Sequence, residues 1–539
     1  MKTTNLTLIF LTFVCFLNAQ IYNEDDKEGL RVFFAQPSAI EDFTNGAVFG
    51  LTQNDMQFWY DNETWVSKIR GVRWNNSSPK RLIELFCFRS GNLAGVLDAG
   101  KWSEMLFLDC SQNQLTDLYA NGCTNLKTLN CYDNKLSNLY ICGCPNLEEL
   151  NCSKNLLINL NLGCTNLLGL DCNNNLLTYL DLSELNLFSL NCSDNYLSNL
   201  ELSSCEKLSS LKCANNFLTN LDVSGCSLWD LSCQNNLITN LDVSGNFFLG
   251  SLYCYNNSLT SLNVRGCKNL CWLYCYSNSL TSLDVRGCES LWLLNCSNNS
   301  LTNLDIRGCN YLQDLNCSKN SLTNIDVSEC SNLLILNCSN NSLINLNVGR
   351  LIEIYCNNNK LKLSNLYDIS ENVVTQSEDY YKILGTQTLL PQVLAIDEKV
   401  DFSKEAILGG VETIFVVQKN GENVVTEEDY TVTDGIFSFH THGVYTVILT
   451  NAAIFSDINN PAKVIAEFNC VINSVQKQSL IAYVQNGVLY VSELSSSEKW
   501  NVYNTSGIFI AEGKETGVIL PYKGVYIVKS GKRSAKVVF

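Results

Sequence analysis

The chain has 539 residues, a formal net charge of −17 at pH 7 and only two histidines. That length predicts several domains. The acidic balance argues against nucleic acid and anionic membrane surfaces as partners. Two neighbouring histidines leave little room for a histidine-dependent catalytic triad, so no enzyme is expected.

Met1 to Gln20 reads as a secretory signal peptide. Lys2 gives the positive start, Leu6 to Leu17 the apolar stretch, and Asn18-Ala19-Gln20 a small-residue cleavage region. The apolar run is too short to span a bilayer, and no later segment reads as a transmembrane helix. An exported product is therefore expected. Residues 21–81 carry no repeat but hold Phe58, Trp59, Tyr60, Trp65 and Trp74. A solenoid needs an atypical end to cover its first coil, so these rings are read as packing of an N-terminal cap.

From Leu82 to Leu366 one unit of about twenty-one residues recurs. Leu280 to Ser300 reads LTSLDVRGCESLWLLNCSNNS, and the next unit reads LTNLDIRGCNYLQDLNCSKNS. Cysteines run from Cys110 through Cys131, Cys152 and so on to Cys356, in steps of 20 or 21 residues until a last step of 18. An asparagine stands three residues after each, from Asn113 to Asn359. The unit is L-x-x-L-x-C-x-x-N-x-L, a leucine-rich repeat with cysteine in place of one leucine. Leucine, leucine and cysteine face inward from a short strand. The asparagine is placed to bond backbone groups of adjacent coils. Coils stacked about 4.8 Å apart then give a right-handed β solenoid of roughly 60 Å, with short strands on its concave side. Arg81 to Leu106 reads as an irregular first coil, with Cys87 at the cysteine position and Ser90 where asparagine belongs.

The chain has 27 cysteines. Besides the strand ladder, a second ladder comprises Cys123, Cys144, Cys164, Cys205, Cys226, Cys267, Cys288, Cys309 and Cys330. Export would normally favour disulfides. One apolar-facing cysteine per coil instead suits small hydrophobic packing. Side chains that point the same way in a parallel stack also make poor disulfides. Leu185 and Asn246 interrupt the second ladder, so strict pairing is not required, and reduced thiols are expected. No clustered C-x-x-C pairs indicate zinc, and His440-Thr441-His442 reads as a solvated strand end without carboxylate partners. No cofactor is expected.

Strand side chains alternate, so the residues flanking each buried leucine and cysteine form the concave face. Most are small or polar, such as Asn130, Asn151, Asp171, Asn191, Asn295 and Asn316. Two coils differ by placing Tyr253, Tyr255, Trp272, Tyr274 and Tyr276 there, with Leu293 alongside. Clustered aromatics on a rigid sheet suit a protein or glycan ligand. Cross-strand stacking that only stabilises the sheet is the other reading. Trp229 and Trp292 fall one place earlier, at the coil's edge.

Leu361 to Leu366 reads as a last partial coil. Residues 367–475 alternate β-branched and aromatic residues. Expected strands are Lys399–Phe402, Glu412–Gln418, Tyr430–Val432, Gly435–Phe439, Gly443–Thr450 and Lys463–Ile472, a spacing that predicts an immunoglobulin-like β-sandwich. Residues 476–539 read as a smaller β domain.

The repeat with its cysteine ladder resembles the internalin J type of leucine-rich surface protein. That resemblance implies an adhesin with an immunoglobulin-like domain after the repeats. The LPXTG-type wall anchor of the Gram-positive members has no counterpart here. The closing residues instead resemble the C-terminal sorting domain of the Bacteroidota type IX secretion system, through Val502-Tyr503-Asn504-Thr505-Ser506-Gly507, Gly524-Val525-Tyr526-Ile527-Val528 and Lys536-Val537-Val538. This implies recognition by that secretion machinery, then attachment to the surface or release. The reading is an adhesin that binds host protein, glycan or partner bacteria through the concave face. The alternative is a self-associating biofilm or matrix protein.

Overall fold

A computed structural model describes residues 21–539 except 62, 89–91, 164–165, 374–381, 425–426, 458, 472–480, 486–487, 493–498, 505–507, 514–517, 522–523, 531–532 and 539. The expected signal peptide, Ser90, Cys164, Thr505-Ser506-Gly507 and Ile472 lie outside the described residues. The chain divides into two compact units, Met1–Tyr355 with Asn372–Tyr380, and Cys356–Glu371 with Tyr381–Phe539.

The first unit is the β solenoid that the repeat predicts. Its strands are mostly three residues long, for example Thr128–Asn130, Gly169–Asp171, Ser251–Tyr253 and Trp272–Tyr274. They pair in parallel and in register from Leu82–Phe86 to Glu353–Tyr355, each repeat leucine opposite the next. Each cysteine lies just beyond its strand and continues the ladder. Cys110 N–H donates to Asn130 O at 2.9 Å, and Cys131 N–H to Asn151 O at 2.8 Å.

The asparagines form a backbone clamp. Asn216 Nδ2 donates to Cys192 O at 3.0 Å, Cys213 O at 3.2 Å and Ala214 O at 3.2 Å, while its Oδ1 accepts Leu197 N–H at 2.9 Å. One side chain thus satisfies groups of its own coil and of the coil before it. The residue before each asparagine turns the chain through a left-handed conformation, with φ of 55° at Asn174, 55° at Asn215 and 57° at Asn235. Asparagine tolerates that region better than most side chains, which accounts for the Asn-Asn doublets.

Both cysteine ladders are buried as free thiols among the described residues. The second ladder has a polar role as well. Cys123 Sγ donates to Ala99 O at 3.1 Å, and Cys144 Sγ to Ala120 O at 3.1 Å. At the interruptions, Leu185 and Asn246 are equally buried, and Asn246 Oδ1 accepts Leu228 N–H at 2.9 Å. Short additional sheets flank some coils, as in Asn240–Asp242 with Ser261–Asn263.

The cap rests on the helix Glu24–Ala35, whose N-cap Asn23 accepts the Asp26 N–H. Asp26 is fully buried. It accepts Leu82 N–H at 2.8 Å and the Arg81 guanidinium at 2.8 and 3.0 Å, which ties the helix to the first repeat strand. Trp59 and Trp65 are buried as cap packing requires, whereas Phe58 and Tyr60 stay exposed.

Leu363–Asn372 is a helix, which replaces most of the partial coil expected over Leu361 to Leu366 and the start of the sandwich expected from Tyr367. Leu363, Leu366, Ile369 and Ser370 share its buried face, a helical spacing that leucine content alone disguised. The β-sandwich follows. One sheet contains Ile414–Lys419, Gly443–Thr450 and Lys463–Val471, and the other contains Lys399–Asp401, Ile436–Phe439 and Tyr430–Thr433. Phe415 meets Phe437 at 5.2 Å and Phe439 meets Phe468 at 5.5 Å across the core. The first sheet also gains Thr386–Thr388 and Gln392–Ala395, which the sequence reading did not mark. His440 does have a carboxylate partner, contrary to expectation. Its Nδ1 lies 2.6 Å from Asp397 Oδ1 and its Nε2 3.1 Å from Thr431 Oγ1. The last β region packs Leu489, Trp500, Val502, Leu520, Tyr526, Val528 and Val537 into a separate core.

Candidate binding surface

Parallel pairing puts residues of equal repeat position beside one another, so side chains on the concave face form columns. The aromatic residues fill three columns on two neighbouring coils. Tyr253 pairs with Tyr274 in strand register, and their rings stack at 5.1 Å and 10°. Two residues on, Tyr255 and Tyr276 stack at 4.4 Å and 7°. Trp272 stands between Ser251 and Leu293 in the first column and is 41 % exposed. The four tyrosines are half-buried. All five expected site residues therefore share one platform. Each stack covers one face of each ring, and the Tyr276 hydroxyl is in hydrogen-bond contact with Tyr255.

Carboxylates bracket the platform. The column of Trp272 runs Asp230, Ser251, Trp272, Leu293, Asp314. Burial pushes both Asp230 and Asp314 above the ordinary carboxylate range; Lys212 offsets this in part at Asp230, and Glu353 adds to it at Asp314. Burial also raises the Tyr253 and Tyr274 phenols, with Asp230 adding at Tyr253, and Tyr253 and Asp314 adding at Tyr274.

Toward the N-terminal side the same face is mostly polar until Phe107, which stacks on Phe86 at 4.8 Å. A groove of about 450 Å³ is lined by residues including Asn130, Asn151, Gly169, Asp171, Asn191 and Lys212. A side chain at Gly169 would collide with the Glu149 carboxylate, which leans over the gap.

Trp229 and Trp292 immediately precede strands and are exposed, as their place in the unit suggests. The residue after each clamp asparagine is a feature the sequence reading overlooked. Leu156, Leu176, Tyr196, Phe217 and Leu237 occupy it in five successive coils, each between 37 and 50 % exposed. In the next coils the same position is Ser258, Ser279, Ser300, Ser321 and Ser342. The signal was present as a second, outward periodicity beside the buried one.

Among the described residues, no group of three or more His, Cys, Asp or Glu could hold a metal ion, and no helix is long and apolar enough to cross a membrane.

No family model matches the chain, and no curated protein matches it. Its structural neighbours are internalin-like leucine-rich repeat proteins. The functional domain of InlJ from Listeria monocytogenes, which includes a cysteine ladder, is similar with a TM-score of 0.49 and 24 % identity, over 70 % of this chain and 83 % of that one. A leucine-rich repeat protein of Leptospira interrogans gives 0.45 and 25 %, over 51 % and 79 %. The internalin InlF from Listeria monocytogenes gives 0.35 and 20 %, over 65 % and 87 %.

Proposed function

We propose that this chain is an exported, surface-exposed or released adhesin that binds a protein or glycan through the concave face. Tyr253, Tyr255, Trp272, Tyr274 and Tyr276 form the contact. The observation that carries this reading is the exposed Trp272 beside two stacked tyrosine pairs, on coils whose neighbours present mostly small polar residues. Rigid aromatics supply contact area at little entropic cost. The proposed organisation is a signal peptide at 1–20, a cap at 21–81, repeats at 82–366, an immunoglobulin-like sandwich at 367–475 and a type IX sorting domain at 476–539. Bacteroidota origin, recognition by the type IX machinery and residence at the outer-membrane surface belong to the same proposal. The role is binding, not catalysis.

The exposed row from Leu156 to Leu237 favours a second reading, a matrix protein whose copies associate along this row.

The test is binding of the chain to an array of matrix proteins and glycans, beside a variant carrying Tyr255→Ala, Trp272→Ala and Tyr274→Ala. A ligand held by the parent and weakened at least tenfold in the folded variant supports the adhesin. No ligand, with concentration-dependent association abolished by Phe217→Ser, moves the function to the matrix reading.

A further inference from the structure

The aromatic platform sits in a predominantly acidic face. From Asp109 to Asp314, the outward strand positions carry Asp109, Glu149, Asp171, Asp230 and Asp314 against Lys212 alone. Resting on the concave-face reading above, we infer that the partner is a cationic protein segment, whose arginine or lysine side chains meet Asp230 and Asp314 while the intervening residues lie on Trp272 and the tyrosine stacks.

Three observations lead there. First, the flanking carboxylates stand two rungs either side of Trp272 in one column, four coil spacings apart or about 19 Å. An extended peptide rises about 3.3 Å per residue, so cations roughly six residues apart reach both ends. Second, burial raises both carboxyls even with Lys212 and Ser251 acting against it at Asp230, so a cation arriving there relieves the remaining cost. Third, the face shows the contact within its own chain. Lys154 Nζ lies 5.0 Å from the Tyr132 ring centroid and 2.8 Å from its hydroxyl. There the hydroxyl holds the ammonium; the ring faces of tyrosine and tryptophan also attract cations, and guanidinium groups suit both ring faces and carboxylates.

The same charge opposes other occupants. A second copy would bring its own acidic face to this one, in a chain of net charge −17. An uncharged glycan would use the rings but gain little from Asp230 and Asp314.

The experiment titrates the full chain with an arginine–serine–glycine repeat peptide of about twelve residues, long enough to span both carboxylates. Its citrulline counterpart keeps the shape without the charge, and a glutamate counterpart reverses it. The proteins compared are the parent, Asp230→Asn with Asp314→Asn, Trp272→Ala, and Glu289→Gln as a charge control in the Lys268–Glu289 pair, outside the strand columns. The expected result is binding of the arginine peptide, at least about tenfold weaker binding of the citrulline peptide, and none of the glutamate peptide. The double asparagine variant and Trp272→Ala each lose about tenfold, and Glu289→Gln loses nothing measurable.

Equal binding of arginine and citrulline peptides overturns the inference. So does a loss in Glu289→Gln as large as in the double variant, since the attraction would then be diffuse. An array ligand that depends on the aromatic residues and ignores the aspartates removes the cationic partner but keeps the concave site. Undiminished peptide binding by Trp272→Ala removes the cationic partner from this platform, and the array result then decides the concave site.

Discussion

The coils from Phe107 to Lys212 and those from Ser251 to Asn295 share the same backbone ladder and differ chiefly in what they turn outward. The first group shows Asn130 beside Asn151 and Asp171 beside Asn191, whereas the second shows Tyr253 beside Tyr274. Behind both lie the same leucine, cysteine and asparagine. Lattice and face are therefore written in separate residues of one short unit. The lattice positions vary little because each must fit its own copy a few ångströms away. The outward positions meet solvent and are free to carry a site.

The largest expected break in this division comes from alkali, and it falls first and mainly on the lattice. Burial raises the ladder thiols, to about 12 at Cys192, Cys233, Cys275 and Cys317. In the unfolded chain a cysteine ionises near 8.5. The folded state thus holds protons that the unfolded state has lost, and the stabilisation present below pH 8.5 drains away as pH rises toward 12. Each such thiol costs about 1.4 kcal/mol per pH unit in that window, and the ladder acts together. Denaturation midpoints followed from pH 7 to 11 should fall steeply above about pH 8.5. A flat profile to pH 10.5 would show that the ladders are not reduced. Alkylation of the native protein at neutral pH provides the companion test: exposed Cys142 should react while the ladder thiols stay unmodified until denaturant is added.

A smaller break removes one clamp. Asn216→Ala deletes the acceptor for Leu197 N–H and the donor to Cys192 O and Cys213 O. Leaving buried backbone groups unpaired should cost about 2–4 kcal/mol in a denaturation experiment. A loss below 0.5 kcal/mol would mean that water or backbone shifts replace the clamp.

Much of this was legible before any coordinates. The period gave the solenoid, the cysteine and asparagine columns gave its register, and strand alternation sent all five aromatics to one face. What escaped has physical reasons. Leucine marks buried helix and buried coil alike, so Leu361 to Leu366 passed for a partial coil and the rest of the helix Leu363–Asn372 for the start of the sandwich. The outward row from Leu156 to Leu237 lies beside the buried leucines in sequence, and their signal masked it. The approach of Asp397 to His440 joins residues 43 apart, which no local pattern reports. The charge asymmetry of the concave face emerges only when the columns are assembled.

The smallest effect tests the comparison most directly. Tyr253→Ser with Tyr274→Asn gives the aromatic rungs the kind of outward residues that neighbouring coils carry at Ser232 and Asn295. The stacked pair is worth about 0.5–1.5 kcal/mol beyond the area it covers. The double variant should therefore lose about 1 kcal/mol of pair energy, besides the transfer term of the half-buried rings, and keep its circular dichroism unchanged. Measured as a cycle with both single variants, the coupling should account for most of that pair energy. A loss above 4 kcal/mol would place the tyrosines in the lattice and make their exposure a by-product of packing. A smaller loss leaves them as residues that the lattice does not need. Their clustering on two adjacent coils then has to be explained by what they touch outside the chain.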